Sequence, residues 1–216
     1  MLDALVADLQ AGERVVFDAD GTLWRGDVGE DFLRWALHRK LFAARYATYE
    51  AIHSEDPVRA YAWAVEVMAG AREDELLSHS RAFFAERFAG RIFPWVRPFL
   101  AKLHAQEVWI CSASPRWVVL PGAEALGIDA EHVIGVSCEV SAGRLSGKVE
   151  LPVPAGSGKV AWLKKRGVKP ALAAGNGDLD RDMLEFARKQ LVIAPPDSAN
   201  ALVRYARAHR WPVLLA

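Results

Sequence analysis

The sequence predicts an α/β fold: a parallel sheet flanked by helices, with a block of helices inserted after the first strand. Three observations carry this. Short apolar runs (Arg14-Val15-Val16-Phe17, Val108-Trp109-Ile110-Cys111, Ala171 to Ala174 and Leu191-Val192-Ile193) alternate with helical patterns, as strands buried on both faces of a parallel sheet do. Residues from Gly29 to about Gly90 show helical spacing only. The 216 residues suit one domain, or a domain with an insert, and bury a real core without a disulfide or metal staple.

In chain order, Leu2 to Leu9 predicts a short helix that Gly12 ends, and the first strand stops at the polar loop Asp18-Ala19-Asp20-Gly21-Thr22. In the helical block, Phe32, Leu33, Ala36, Leu37 and Leu41 form one stripe. Val58, Tyr61, Ala62, Val65, Met68 and Ala69 form a second, with Asp56 as N-cap and Pro57 at the first helical position. Leu76, Leu77, Phe83, Phe84 and Phe88 form a third. Pro98 to Ala105 predicts a helix, and Ser114 and Pro115 a cap and first turn for another that runs to about Leu126. Val133 to Val140 and Arg144 to Glu150 flank Ser141-Ala142-Gly143 as a hairpin. Helices follow at Val160 to Arg166 and near Arg181 to Arg188, and Asp197 caps a last one with the stripe Ala199, Leu202, Val203 and Ala206.

Composition excludes several classes. Lys plus Arg and Asp plus Glu are both 27, so there is no basic excess of the kind that nucleic-acid or anionic-membrane partners select. Residues 1–16 are broken by Asp3, Asp8, Glu13 and Arg14, unlike a signal peptide, and no run approaches the roughly 20 apolar residues of a membrane helix. Two cysteines, Cys111 and Cys138, make no disulfide framework, and a cytoplasmic setting is expected. The eight tryptophans are many for this length, and core is their commonest fate.

Ligands of parallel sheets sit at the carboxyl ends of the strands. The loops there carry Asp18, Asp20, Thr22, Ser112, Ser114, Asn176, Asp178 and Asp180. Asp18 and Asp20 point the same way if extended, and two carboxylates held together call for a proton, a basic residue or a hard cation such as Mg²⁺. The same string also makes an ordinary turn. Ser112 and Ser114 suit either an anion site at a helix start or a plain cap. Gly156-Ser157-Gly158-Lys159 fails as a nucleotide P-loop, because Val153 and Val160 occupy the required Gly and Ser/Thr positions. What remains is a lysine at a helix start.

Asp18-Ala19-Asp20-Gly21-Thr22, Ser112-Ala113-Ser114, Lys159 and Gly175-Asn176-Gly177-Asp178-Leu179-Asp180, in this order, resemble the four motifs of the haloacid dehalogenase (HAD) superfamily. The resemblance spans residues 14–194. The helical insert and the hairpin resemble the phosphoserine-phosphatase-like branch. It implies a Rossmann-like parallel core (1–24 and 91–216) and a helical-bundle cap (25–90) inserted after the first strand. It further implies a Mg²⁺-dependent phosphatase acting on a small phosphorylated metabolite. Asp18 is then the nucleophile and Asp20 the general acid and base. Thr22, Ser112, Ala113 and Lys159 bind phosphate, and Asp18, Asp20, Asn176 and Asp180 hold the metal.

Two departures from the branch bear on this. Its fourth motif commonly reads Gly-Asp-Gly-x-Asn-Asp, so the metal-binding Asp becomes Asn176, with Asp178 as the alternative ligand. Its second motif commonly reads Ser-Gly-Gly, whereas here Ser112-Ala113-Ser114-Pro115 leads into Arg116 and Trp117. Phosphoserine phosphatase proper and a non-catalytic phospholigand-binding protein remain alternatives. Asp27, seven residues beyond Asp20, stands where the branch carries a Glu for the substrate's amine. With Trp24 and Trp117 it suits an amine-bearing substrate, with Arg116 nearby in the chain, or else it caps the helix starting near Gly29.

Overall fold

The computed structural model describes residues 1–216. The chain runs α1 (Leu2–Val6), β1 (Arg14–Phe17), α2 (Val28–His38), α3 (Tyr46–Glu55), α4 (Pro57–Glu66), α5 (Glu73–Arg87), α6 (Val96–Leu100), β2 (Glu107–Pro115) and α7 (Arg116–Leu126). It continues with β3 (Val133–Val136), β4 (Cys138–Ser141), β5 (Arg144–Val149), α8 (Ser157–Lys165), β6 (Pro170–Gly175), α9 (Arg181–Phe186), β7 (Lys189–Ala194), α10 (Ala201–Ala208) and β8 (Val213–Leu215). Six strands form one sheet in the order β3-β2-β1-β6-β7-β8, and the pairs β1–β2, β1–β6, β6–β7 and β7–β8 are all parallel. Val15, Val16, Phe17, Leu172, Ala173, Ala174, Leu191 and Val192 are wholly buried, which is why these runs are apolar without alternation. Chain order reverses between β1 and β6, so the connections leaving their carboxyl ends diverge and leave a crevice there. This is a Rossmann-like α/β fold.

Contacts divide the chain into two units. The first comprises Met1–Gly26, Arg91–Cys111 and Pro154–Ala216. In it α9 packs on β6 and β7, α10 packs on β7 and β8, and Phe17 meets Phe99 edge-on at 6.2 Å. The second comprises Asp27–Gly90 and Ser112–Val153. In it Asp56 caps α4 by accepting from Arg59 N, with Pro57 at the first position. Leu33, Tyr49, Ala60 and Ala64 form a small core among α2, α3 and α4, and Phe32 meets Phe83 edge-on at 5.4 Å.

The sequence reading assigns all of 91–216 to one domain, whereas the structure groups Ser112–Val153 with the helices. The reasons are local: α7 packs on α5, Arg81 forms a two-bond fork with Glu124, and β5 lies against α4 where Gly147 meets Ala69.

Several elements differ from their sequence reading, among them α3, for which the sequence shows no apolar stripe, and the helix expected at Pro98 to Ala105, which is α6 at Val96–Leu100. The run Val133 to Val140 breaks at Ser137: β3 joins the main sheet, and only β4 pairs with β5. That hairpin turns through Ala142 and Gly143, both at positive φ, the conformation that two-residue hairpin loops require. Strand β2 runs on through Pro115, which takes the N-cap position of α7 and leaves Ser114 buried in the strand. Asn200, not Asp197, caps the last helix by accepting from Val203 N. Strand β8 escapes the sequence because it is three residues long and only partly buried.

Gly135 lies in β3, where a Cβ would stand 2.7 Å from Arg116 Cα and 2.9 Å from Ser114 O. Backbone cannot yield as a flexible side chain does. Gly135→Ala should therefore cost about 1–3 kcal/mol by denaturant unfolding. Gly90→Ala, where a Cβ meets nothing within 4 Å, should stay within about 0.5 kcal/mol of the parent.

Candidate active site

The crevice between β1 and β6 is built inside the first unit. Asp18 N donates to Ala174 O at 2.8 Å, which extends the β1–β6 pairing by one residue and sets Asp18 at the strand end. The chain then makes one tight turn: Thr22 N and Leu23 N both donate to Ala19 O, and Gly21 takes a positive φ of 71°. The turn leads straight into extended chain, where Trp24 bridges to Ile92 and Phe93 N donates to Leu23 O.

Lys159 enters from the first turn of α8 and is 1% exposed. Its Nζ lies 2.6 Å from Asp18 Oδ1 and 2.6 Å from Asp180 Oδ1. Asp180 Oδ2 accepts from Asn176 N at 2.9 Å and Gly177 N at 3.0 Å, and so holds the loop after β6. Gly175 permits this, since a Cβ there would lie 2.5 Å from Asp180 Cβ.

One ammonium thus faces two buried carboxylates, a net negative charge. Burial and the Asp180 carboxylate push the Asp18 carboxyl up to about 6, against the pull of Lys159. Burial works to lower the Lys159 ammonium, but Asp18 and Asp180 overrule it and its pKa rises. Burial also pushes the Cys111 thiol, on β2, up to about 12, so it is the inert apolar filler its sequence context suggests.

No group of three His, Cys, Asp or Glu side chains gathers to hold a metal. The donor set nevertheless fits a hard cation. Asn176 Oδ1 lies 3.0 Å from Asp20 O, 3.2 Å from Asp18 Oδ2 and 3.3 Å from Thr22 Oγ1. Oxygens that face one another need either the amide turned over, so that Nδ2 donates, or a cation among them. Octahedral Mg²⁺ bonded at roughly 2.0–2.1 Å sets neighbouring ligand oxygens about 3 Å apart. Asp18, the Asp20 carbonyl and Asn176 are therefore the residues that would hold it. Gly21 makes the approach possible, because a Cβ there would overlap the Asn176 amide at 2.2 Å.

The remaining expected residues fall out as follows. Asp178 is exposed while Asn176 turns inward, which favours Asn176 as the ligand. Asp180, also expected on the metal, has one oxygen on Lys159 and the other on the two loop amides, contacts that fix the loop after β6. Thr22 is fully buried and donates to Asp18 Oδ2 at 3.2 Å. Ser112 is buried on β2 and accepts from Ser114 N at 3.0 Å, with Ala113 between them half-buried.

The four substrate candidates all have other partners. Asp27 caps α2 by accepting from Glu30 N at 2.7 Å, and burial raises its pKa. Arg116 donates to Ala130 O and Val133 O. Trp117 is buried and donates to Glu73 Oε1 at 2.9 Å. Trp24, expected as an indole face on the crevice, is wholly buried and donates to Asp20 Oδ1 at 2.7 Å. Sequence reasoning missed this last contact. The four-residue spacing of an Asp and a Trp across a turn was the only signal for it.

A carboxylate at a strand end, a buried lysine and a set of facing oxygens thus meet at the switch point of a parallel sheet, where such folds bind their ligands. The model of the haloacid dehalogenase-like hydrolases matches residues 15–185, and the chain belongs to that family. No curated protein matches it in sequence. Among solved structures, it resembles a protein of unknown function from Bordetella pertussis Tohama I (TM-score 0.77, 20% identity, covering 94% of this chain and 98% of that one). It also resembles a conserved, functionally unknown protein from Anaerococcus prevotii DSM 20548 (TM-score 0.76, 15% identity, covering 98% and 90%). A phosphoserine phosphatase carrying a phospho-aspartyl intermediate analogue shares the fold at TM-score 0.61 and 16% identity, with 95% and 94% covered. No helix is long and apolar enough to cross a membrane.

The raised Asp18 carboxyl predicts a pH signature. Its folded-state pKa, about 6, lies above its ordinary 3.8, so the stability it contributes is fully present below about pH 4 and is lost as pH rises through about 6. In metal-free protein, Asp18→Asn should remove that loss and leave Lys159 paired one-to-one with Asp180. The difference in Tm between the variants, followed from pH 4 to 7.5, should move in favour of the Asn variant. A pH-independent difference would contradict the charge balance described.

Proposed function

We propose that the protein is a magnesium-dependent phosphatase of small phosphate monoesters. The observation that carries this is the placement of the Asp18 carboxylate: at the switch point, ion-paired to Lys159, one residue from Asp20 across Ala19, and on the edge of the Asn176 oxygen set. Asp18 attacks phosphorus in line and an aspartyl-phosphate forms as the ester P–O bond breaks. Asp20 gives its proton to the leaving oxygen, then takes one from the water that hydrolyses the acyl phosphate. Lys159 and Thr22 offset charge on the transferring phosphoryl group, where most of the catalysis of such a step lies. The cation, when bound, adds positive charge at the same oxygens. Ser112 and Ala113 join the phosphate contacts by resemblance to the second motif. The second carboxylate, Asp20, favours ester hydrolysis over dehalogenation, because a halide leaves without a proton. The shared fold with a phosphoserine phosphatase supports the reading and does not choose the substrate.

The test is hydrolysis of a set of phosphate monoesters with and without Mg²⁺. Turnover should need the metal, and Asp18→Asn should lower it by about 10³ or more. Lys159→Ala should cost on the order of 10² to 10³, as one charge-stabilising group among several. Binding of phosphorylated ligands without turnover would support a sensor instead.

Asn176→Asp should tighten Mg²⁺ by about tenfold, roughly 1.4 kcal/mol, because a carboxylate replaces a neutral dipole. Calorimetric titration of the metal reads this without turnover. An unchanged midpoint, with Asp178→Asn weakening it, would move the ligand to Asp178.

A further inference from the structure

We propose that Trp24 is the positioning residue for Asp20, holding its carboxylate where it hands a proton to the leaving oxygen. The proposal rests on the phosphatase reading and adds a residue to it. Trp24 Nε1 donates to Asp20 Oδ1 at 2.7 Å, and the ring has no exposed surface. Its backbone is fixed on both sides. Trp24 O accepts from Gly21 N at 2.8 Å, Trp24 bridges to Asp20 and to Ile92, and Arg25 N donates to Arg91 O at 2.9 Å. The indole is thus a rigid donor on the same short turn as the group it binds.

An indole N–H donates only and takes no proton. It therefore binds one carboxylate oxygen without competing for the catalytic proton. With Oδ1 committed to the indole, the proton is carried on Oδ2. It passes to the ester oxygen as the P–O bond breaks and Asp18 bonds to phosphorus, and a proton from water returns to Oδ2 as the aspartyl-phosphate is cleaved. Trp24→Phe takes the rigid donor away from Oδ1, which widens the range of carboxylate orientations and lowers the fraction poised for transfer. A buried tryptophan that merely packs would also seek a partner for its N–H. The two roles differ in what they do to the leaving-group dependence.

The experiment compares kcat/KM of the full chain with saturating Mg²⁺ for an alkyl phosphate, such as glycerol phosphate, and for 4-nitrophenyl phosphate, whose nitrophenolate leaves without a proton. Trp24→Phe should lower the first by about tenfold or more and the second by less than about threefold. In an Asp20→Asn background, Trp24→Phe should no longer change the ratio. An equal loss for both esters, or no loss, overturns the positioning role while leaving the phosphatase reading intact. A parent chain that hydrolyses neither ester overturns both. If Trp24→Phe does not fold, a variant at Asp20 decides. With the tryptophan kept, Asp20→Ala, which removes the acceptor, should displace one indole N–H resonance among those of the eight tryptophans, and displacement of none overturns the contact.

Discussion

The ammonium of Lys159 stands 2.6 Å from each of two buried carboxylates, and the geometry of the whole site hangs on that arrangement. It joins three places far apart in the chain: the end of β1, the first turn of α8 and the turn before α9. Taking an ion from water into a protein interior costs several kcal/mol per ion, offset only when the partners are close and fully hydrogen-bonded. Here they are. Asp18 also accepts from Thr22, and Asp180 also accepts from two loop amides. Removing the lysine would leave two buried like charges, so it organises the site.

The orientation of Asn176 follows from the same pair of contacts. Asp180 reaches Lys159 with one oxygen and accepts from Asn176 N and Gly177 N with the other, and this ties the loop after β6 to the end of β1. Gly175 and Gly21 have to be glycines for that approach. One would otherwise press on Asp180 and the other on the Asn176 amide. Glycine in a strand often marks close approach of another group, and Gly175 at the end of β6 marks that of Asp180.

What was legible in the sequence is what depends on burial and on local spacing. Strands buried on both faces show as unbroken apolar runs, and the Asp56-Pro57 start of α4 is a local signal that no neighbour alters. The misread elements depend on partners distant in sequence. Ser114 has the composition of a cap, but β2 continues through it. Val133 to Val140 looks continuous, but its two halves pair with different sheets. The residues that meet at the end of β1 were legible as local motifs, whereas their mutual contacts were not. The spacing that suggests a ligand at Asp180 says nothing of its bonds to Lys159 and two loop amides, and the tryptophan at 24 does not by itself show that its indole donates to Asp20.

The amide at position 176 then has a physical rationale beyond its oxygen. Its side chain lies 3.2 Å from Asp18 Oδ2 and 3.0 Å from Asp20 O. A carboxylate there would add a third negative group to a site whose only buried cation already serves two, and without bound metal nothing would offset the repulsion. An amide has two faces. Turned one way it offers Nδ2 to the same acceptors and closes the site with hydrogen bonds, and turned the other it offers Oδ1 to a cation. Asn176 can therefore satisfy the oxygens around it by hydrogen bonding beside a charge imbalance, and as a neutral dipole it would grip a divalent ion more weakly than a carboxylate would.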